Sequence, residues 1–297
     1  MQFNVVKGGG SIQQPDSVTD SDGIAFAGAT YGSQPGDQVF SATAGGLTAT
    51  FTDTARPEPI IKSGGAVNAA SFQAGQGVAP GSYITLFGTG LSDDTGLANT
   101  VSLPLSINNV SVSFDVPSAN ISVPGRLYYV SPTQVNVFVP WELEGQSSAI
   151  IKVNISETTG QTYNLPLTTY SPAFFAYSQG GQELLAALDT SNKVITPGNA
   201  AVRGQVVELF ANGLGPVTNQ PATGEPAPSG TLAKTQATPT VKIGGADATV
   251  EFSGLAPGFA GLYQLNVVVP PGINAGVQPV IVTIGGISSP PVNMPVK

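Results

Sequence analysis

Leu127-Tyr128-Tyr129-Val130-Ser131-Pro132-Thr133-Gln134-Val135-Asn136-Val137-Phe138-Val139-Pro140 returns, shortened, as Leu262-Tyr263-Gln264-Leu265-Asn266-Val267-Val268-Val269-Pro270. In both stretches a tyrosine and a Gln-apolar-Asn step lead into an apolar, β-branched run that a proline ends, the composition of one central strand with a fixed exit. The match extends outward. Upstream, Ala79-Pro80-Gly81-Ser82-Tyr83-Ile84-Thr85-Leu86-Phe87-Gly88-Thr89-Gly90-Leu91 parallels Val202-Arg203-Gly204-Gln205-Val206-Val207-Glu208-Leu209-Phe210-Ala211-Asn212-Gly213-Leu214, with the first glycine, the alternating run, Leu-Phe and Gly-Leu in register. Between these, 105–114 and 240–252 read as hairpins around Asn108-Asn109 and Gly244-Gly245, the residue types that a two-residue turn with positive φ requires. Downstream, 149–155 parallels 280–284, each followed by a glycine-containing turn and one last short strand. Four matched elements in one order define an internal repeat, and each copy marks one β domain.

Composition agrees with many short strands joined by tight turns: 37 glycines and 25 prolines in 297 residues, too many for a helical protein. A hydrophobic content of 41% argues against disorder, while charged residues make up only 9%, so the surface must be Ser, Thr, Asn and Gln. The formal charge is −8 and the ten basic residues are scattered singly, which leaves no basic stripe for nucleic acid or anionic lipid. There is no run approaching 18 apolar residues and hence no expected membrane span. With no cysteine, disulfides and thiol catalysis are excluded. Low charge, abundant Thr, Ser, Asn and Gly, and β repeats resemble bacterial surface proteins. Met1 is followed by no basic and apolar leader, so a secreted or cell-surface location places the export signal upstream of this chain.

Residues 1–56 form a first unit, in which 18–30 is a turn followed by an alternating strand and 38–52 a hairpin over Gly45-Gly46. At these residues the segment resembles the C-terminal part of bacterial immunoglobulin-like group 1 domains, the repeats of invasin and intimin stalks. The likeness implies a partial domain whose first strands are missing, and with them an open sheet edge able to associate with another chain. Arg56-Pro57-Glu58-Pro59 reads as a short stiff linker.

Beyond it, Val67-Asn68-Ala69-Ala70-Ser71-Phe72, 128–137, Val139-Pro140-Trp141-Glu142, Gly213-Leu214-Gly215-Pro216-Val217 and Pro221-Ala222-Thr223-Gly224-Glu225-Pro226 resemble a C-terminal domain family of acidobacterial secreted proteins. The resemblance spans about 230 residues, and it implies two half-repeats similar to immunoglobulin-like domains but no catalytic residues. The expected fold class is therefore all-β, tandem immunoglobulin-like β-sandwich domains over 57–178 and 179–297. Residues 182–188 suit a helix or a strand equally, and the Pro-, Gly- and Thr-rich stretch 215–239 is either a functional loop or an ordered insertion covering an edge.

The absence of histidine removes the Ser-His-Asp triad, His-based zinc sites and the commonest general base. What remains is carboxylate chemistry. Trp141, Glu142 and Glu144 are the candidate ligand-binding residues: on a strand the two carboxyls would share a face about 6–7 Å apart beside an aromatic platform, as a glycosidase or carbohydrate-binding site requires. The competing and stronger reading is a polar turn after Pro140 with Trp141 wedged against a domain junction. Asp20 and Asp22, with Gly23, match the start of a Ca2+ loop but lack its distal glutamate, and an Asp-Gly turn explains them better. No other cofactor is expected. Gln134 with Asn136, and Gln264 with Asn266, lie on one strand face; such a repeated polar pair suits a ligand row, but the stronger reading is that the amides satisfy backbone groups at a loop or edge. Tyr128 and Tyr263 are each expected to pack at a sandwich end and bond a carbonyl. The leading function is a non-catalytic extracellular structural or adhesion module, with protein or polysaccharide at the cell surface as its partner. The alternatives are a carbohydrate-binding module or carboxylate-based glycosidase, and a filament subunit that assembles by strand donation through 1–56.

Overall fold

The computed structural model describes residues 1–297, and the chain is all-β: its only helical pieces are the three-residue 3-10 turns Pro117–Ala119 and Trp141–Leu143. It divides into two compact units, Met1–Glu58 and Pro59–Lys297.

The first unit is a three-stranded antiparallel sheet in the order Gln2–Lys7, Gly36–Ala44, Leu47–Ala55, with a ribbon of Ser11–Gln13 and Gly28–Thr30. The central strand supplies its small core. Phe40 is buried and stacks with Tyr31. Gln38 is buried too, and its amide accepts from Gly32 N at 2.9 Å and donates to Gln34 O at 3.0 Å. No second full sheet covers this one. Leu47 and Phe51 on the edge strand Leu47–Ala55 stay 80% and 60% exposed, and that strand pairs on one side only.

The second unit holds two sandwiches. In the first, one sheet runs Ile60–Asn68, Tyr83–Thr89, Gln134–Phe138, Arg126–Ser131, Gly96–Leu97, and the other runs Ile121–Pro124, Val110–Val116, Ser148–Ile155, to which Thr158–Thr159 and Tyr163–Pro166 pair. Inward residues of both sheets, among them Ile84, Leu86, Val135 and Val137 against Val112, Phe114, Ile151 and Val153, make one core. In the second sandwich the long strand Ala246–Leu255 passes from one layer to the other: its first residues pair with Thr240–Ile243 and the rest with Tyr263–Val268. The core of this sandwich gathers Leu209, Leu265 and Val267 against Val241, Val280 and Val282.

The two copies share one register. Gln134 faces Phe87 and Asn136 faces Thr85, just as Gln264 faces Phe210 and Asn266 faces Glu208. Both two-residue turns have the required backbone, with φ of 49° and 61° at Asn108-Asn109 and 59° and 83° at Gly244-Gly245. Three expectations change. The opening stretch is one strand only in the second copy; in the first it is a hairpin, Arg126–Ser131 and Gln134–Phe138, because Pro132-Thr133 turns the chain. Residues 182–188 lie in two strands, Gln182–Leu185 and Ala187–Asp189, with Leu184, Leu185 and Ala187 all buried. The passage between sandwiches also comes earlier than residue 178, since Ala173–Phe174 already pair with Ala211 and Asn212 of the second copy.

What locks the sandwiches together is an amide. Asn212, wholly buried, accepts from Tyr83 N at 2.9 Å and donates to Tyr83 O at 2.8 Å, so its side chain pairs with a peptide group of the first sandwich as a neighbouring strand would. It also donates to Asn68 Oδ1 at 3.0 Å, and Asn68 Nδ2 donates to Ser171 O at 2.7 Å. Asn212→Ala leaves the Tyr83 N–H without that acceptor and is expected to destabilise the chain by about 1–3 kcal/mol in urea unfolding. Thr89→Ala, at the corresponding exposed position of the first copy, should stay within about 0.5 kcal/mol of wild type.

Candidate functional site

The stretch after Pro140 is no strand. Pro140 enters with φ −56° and ψ 140°, and Trp141–Leu143 then coil into a 3-10 turn closed by Glu144 N to Trp141 O at 2.9 Å. Glu142 and Glu144 therefore do not share a strand face, and Trp141, only 5% exposed, is no platform for a sugar. The junction reading of Trp141 is the one the structure follows. Its ring joins Phe138 and Leu103 in the core of the second sandwich, edge-on to Phe138 at 5.9 Å between centroids. The carboxylates serve the same junction. Thr223 Oγ1 donates to Glu142 Oε2 at 2.6 Å and accepts from Trp141 N at 3.1 Å. Desolvation holds the Glu144 carboxyl above its ordinary value, partly countered by a hydrogen bond from Gln220. Both acids thus pin 215–239 to the first sandwich, helped by Leu103 N to Gly224 O at 2.9 Å and Ser102 Oγ to Glu225 Oε2 at 2.6 Å. The loop is an ordered insertion that covers an edge: Leu255 N donates to Ala233 O and Thr235 N to Ser253 O along the strand Ala246–Leu255.

The tyrosines separate. Tyr263 is fully buried and donates to Gly215 O, and burial, with the nearby Glu144 charge, pushes its hydroxyl up. Tyr128 makes no such bond and is 45% exposed. It is the extra residue of a bulge between Leu127 and Tyr129, and bulges re-aim side chains in this way. Tyr128 is displaced into a cleft that the sequence reading did not identify.

That cleft, about 640 Å3, opens between the two sandwiches, with Tyr83, Tyr128, Phe175 and Phe259 as its rings and Asn99 and Asn136 among its polar groups. Tyr83 forms a floor between the copies. It meets Tyr128 and Phe138 edge-on at 5.8 Å each, and its hydroxyl, pushed up by burial and by Tyr128, donates to Ala260 O at 3.0 Å. Phe259 is 58% exposed on the 256–262 turn, strapped to the inserted loop by Ala227 N to Phe259 O at 3.0 Å. Asn136 accepts from Gln134 Nε2 at 2.9 Å, and Gln264 makes the same bond to Asn266 at 2.8 Å, so these amides satisfy each other rather than a loop backbone. No Asp, Glu, Lys or Arg lines the cleft.

Asp20 and Asp22 form the turn: Asp20 Oδ1 accepts from Asp22 N and Ile24 N, both at 2.9 Å. No group of three or more His, Cys, Asp or Glu is placed to hold a metal ion.

No family model matches the chain, and no curated protein does. Among solved structures it is similar to the Bacteroides ovatus mixed-linkage glucan utilization locus protein SGBP-B in complex with mixed-linkage heptasaccharide, at 10% identity and a TM-score of 0.30 over 99% of this chain and 63% of that one. It is similar also to the surface layer protein SbsC, domains 4–9, at 12% identity and a TM-score of 0.23 over 99% of this chain and 47% of that one. The chain thus spans less than two thirds of each, and such TM-scores fall short of a common overall arrangement.

The Trp141 junction rests on Gly81, whose φ is +75° and whose added Cβ would meet the indole ring at 1.9 Å. Gly204, its repeat counterpart, has φ +78° with open space around it. In thermal unfolding Gly204→Ala should cost about 1–2 kcal/mol, the left-handed strain alone, and Gly81→Ala clearly more. Equal losses would mean that the ring does not depend on the glycine. For Glu144, whose folded pKa is raised, protonation favours the folded state, so its contribution is greatest in acid and is lost as pH rises through the folded value. Glu144→Gln should therefore gain stability over wild type between about pH 4 and about pH 7, read from urea midpoints at both ends.

Proposed function

We propose that this chain is a non-catalytic structural and adhesion module of a secreted or cell-surface bacterial protein, its two immunoglobulin-like sandwiches joined in one compact unit that presents the aromatic cleft. The observation that carries the reading is where the carboxylates stand. Glycoside hydrolysis needs an acid and a carboxylate facing each other across the scissile bond. Glu142 is bonded to Thr223 and Glu144 to Gln220, and the cleft with exposed rings contains no carboxylate. The 9% charged composition and the likeness of 57–297 to the acidobacterial secreted family support the extracellular setting. No helix is long and apolar enough to cross a membrane. The partner is protein or polysaccharide at a cell surface, and scattered basic residues disfavour nucleic acid.

A second reading, self-association through the first unit, has its own support in the uncovered edge Leu47–Ala55 with exposed Leu47 and Phe51. Concentration-dependent light scattering that disappears on deleting residues 1–56 is its expected signature.

For the leading reading, the full chain should co-sediment with insoluble cell-envelope or cell-wall material and release no reducing ends from it. Release of reducing ends would replace the non-catalytic assignment. Absence of the protein from the pellet would remove adhesion.

A further inference from the structure

We infer that the cleft between the sandwiches is a binding site for a neutral oligosaccharide segment, an inference that rests on reading this chain as an adhesion module. The class of ligand follows from what lines the cleft. Its volume, about 640 Å3, is within the range of roughly 300–1,000 Å3 typical of small-ligand sites, and its wall is mainly apolar with a few polar groups. A lipid or an apolar peptide would use the rings and leave the amides idle. An acidic or sulfated polymer would call for lysine or arginine, and none lines the cleft. A neutral pyranose has both surfaces at once: a face of C–H groups for an aromatic ring and a rim of hydroxyls for amides.

The side chains match those two surfaces. Tyr128 and Phe259 come from different sandwiches, expose 45% and 58% of their surface, and meet in one cleft. Tyr128 is turned out of its sheet by a bulge, and Phe259 is held out by a turn strapped to the inserted loop. Asn136 lines the cleft and uses its Oδ1 for Gln134, while its Nδ2 makes no hydrogen bond within the protein, which leaves two amide donors free for a ligand's hydroxyls. The second copy keeps the Gln-apolar-Asn step, but Asn266 does not line this cleft.

Affinity electrophoresis of the full chain through gels containing neutral polymers (a β-glucan, a galactomannan, a xyloglucan, dextran) and charged ones (polygalacturonate, chondroitin sulfate) tests this. Retardation by at least one neutral polymer is expected, with affinity falling about tenfold or more in Tyr128→Ala and in Phe259→Ala while circular dichroism and the melting temperature stay unchanged. Asn136→Ala should weaken binding further in the same gel. Retardation by charged polymers alone, or binding indifferent to both ring variants, overturns the inference. A parallel titration with an apolar fluorescent dye separates the two levels of failure. If no polymer binds but the dye does, and Tyr128→Ala abolishes it, the cleft is a site for an apolar ligand and the saccharide class is wrong. If neither polymer nor dye binds, the adhesion reading of the cleft falls as well.

Discussion

A buried peptide edge must find hydrogen bonds, and at the seam of this protein a side chain supplies them. Asn212 presents its amide to the N–H and C=O of Tyr83 at 2.9 and 2.8 Å, continuing one sandwich's hydrogen bonding into the other where no strand can reach. An apolar residue of the same size would leave the Tyr83 N–H without that acceptor in a place closed to water, while its carbonyl keeps Ala69 N. Once the amide is set, much else follows. Tyr83 is fixed as a shared floor, Phe138 and Trp141 enter the core of the second sandwich, and 215–239 lies down across the first.

The repeat shows which features belong to the fold and which to the seam. Gly81 and Gly204 share a left-handed backbone, so the turn requires glycine in both copies, but an indole rests on only one of them. Thr89 and Asn212 occupy the same repeat position; the first is exposed and the second holds the sandwiches together. Both Gln-apolar-Asn steps are bonded identically at 2.9 and 2.8 Å, yet only Asn136 looks into a cleft. Where the copies agree, the cause is strand geometry. Where they differ, one sandwich is answering the other.

This explains how far the sequence could be read. Alternation, turn residues and the repeat specify strand pairing because each depends on neighbours within one copy, so the common register of Gln134–Phe87 and Gln264–Phe210 was legible. Tyr128 and Tyr263 look alike in sequence, but a bulge displaces the first, and bulges arise from cross-strand fit that a linear pattern does not record. Trp141, Glu142 and Glu144 stand out in the sequence, and the turn after Pro140 with Trp141 at a junction is its stronger reading; what a linear pattern does not carry is the partners of the two carboxylates, Thr223 and Gln220, some eighty residues away. Of the cleft only Asn136 left a signal, since its rings come from four separate stretches.

Two walls from two sandwiches make a useful site only if the walls keep their distance. Ordering side chains or domains upon association consumes binding free energy, so a cleft assembled across a loose hinge would bind weakly whatever its lining. Here the seam is held by a satisfied amide network, a buried indole and a loop bonded to both carboxylates. The same contacts that make 59–297 one compact unit therefore set the spacing between Tyr128 and Phe259 before any ligand arrives. The carboxylates fasten the loop, the loop carries the 256–262 turn, and the turn holds the Phe259 ring at the cleft.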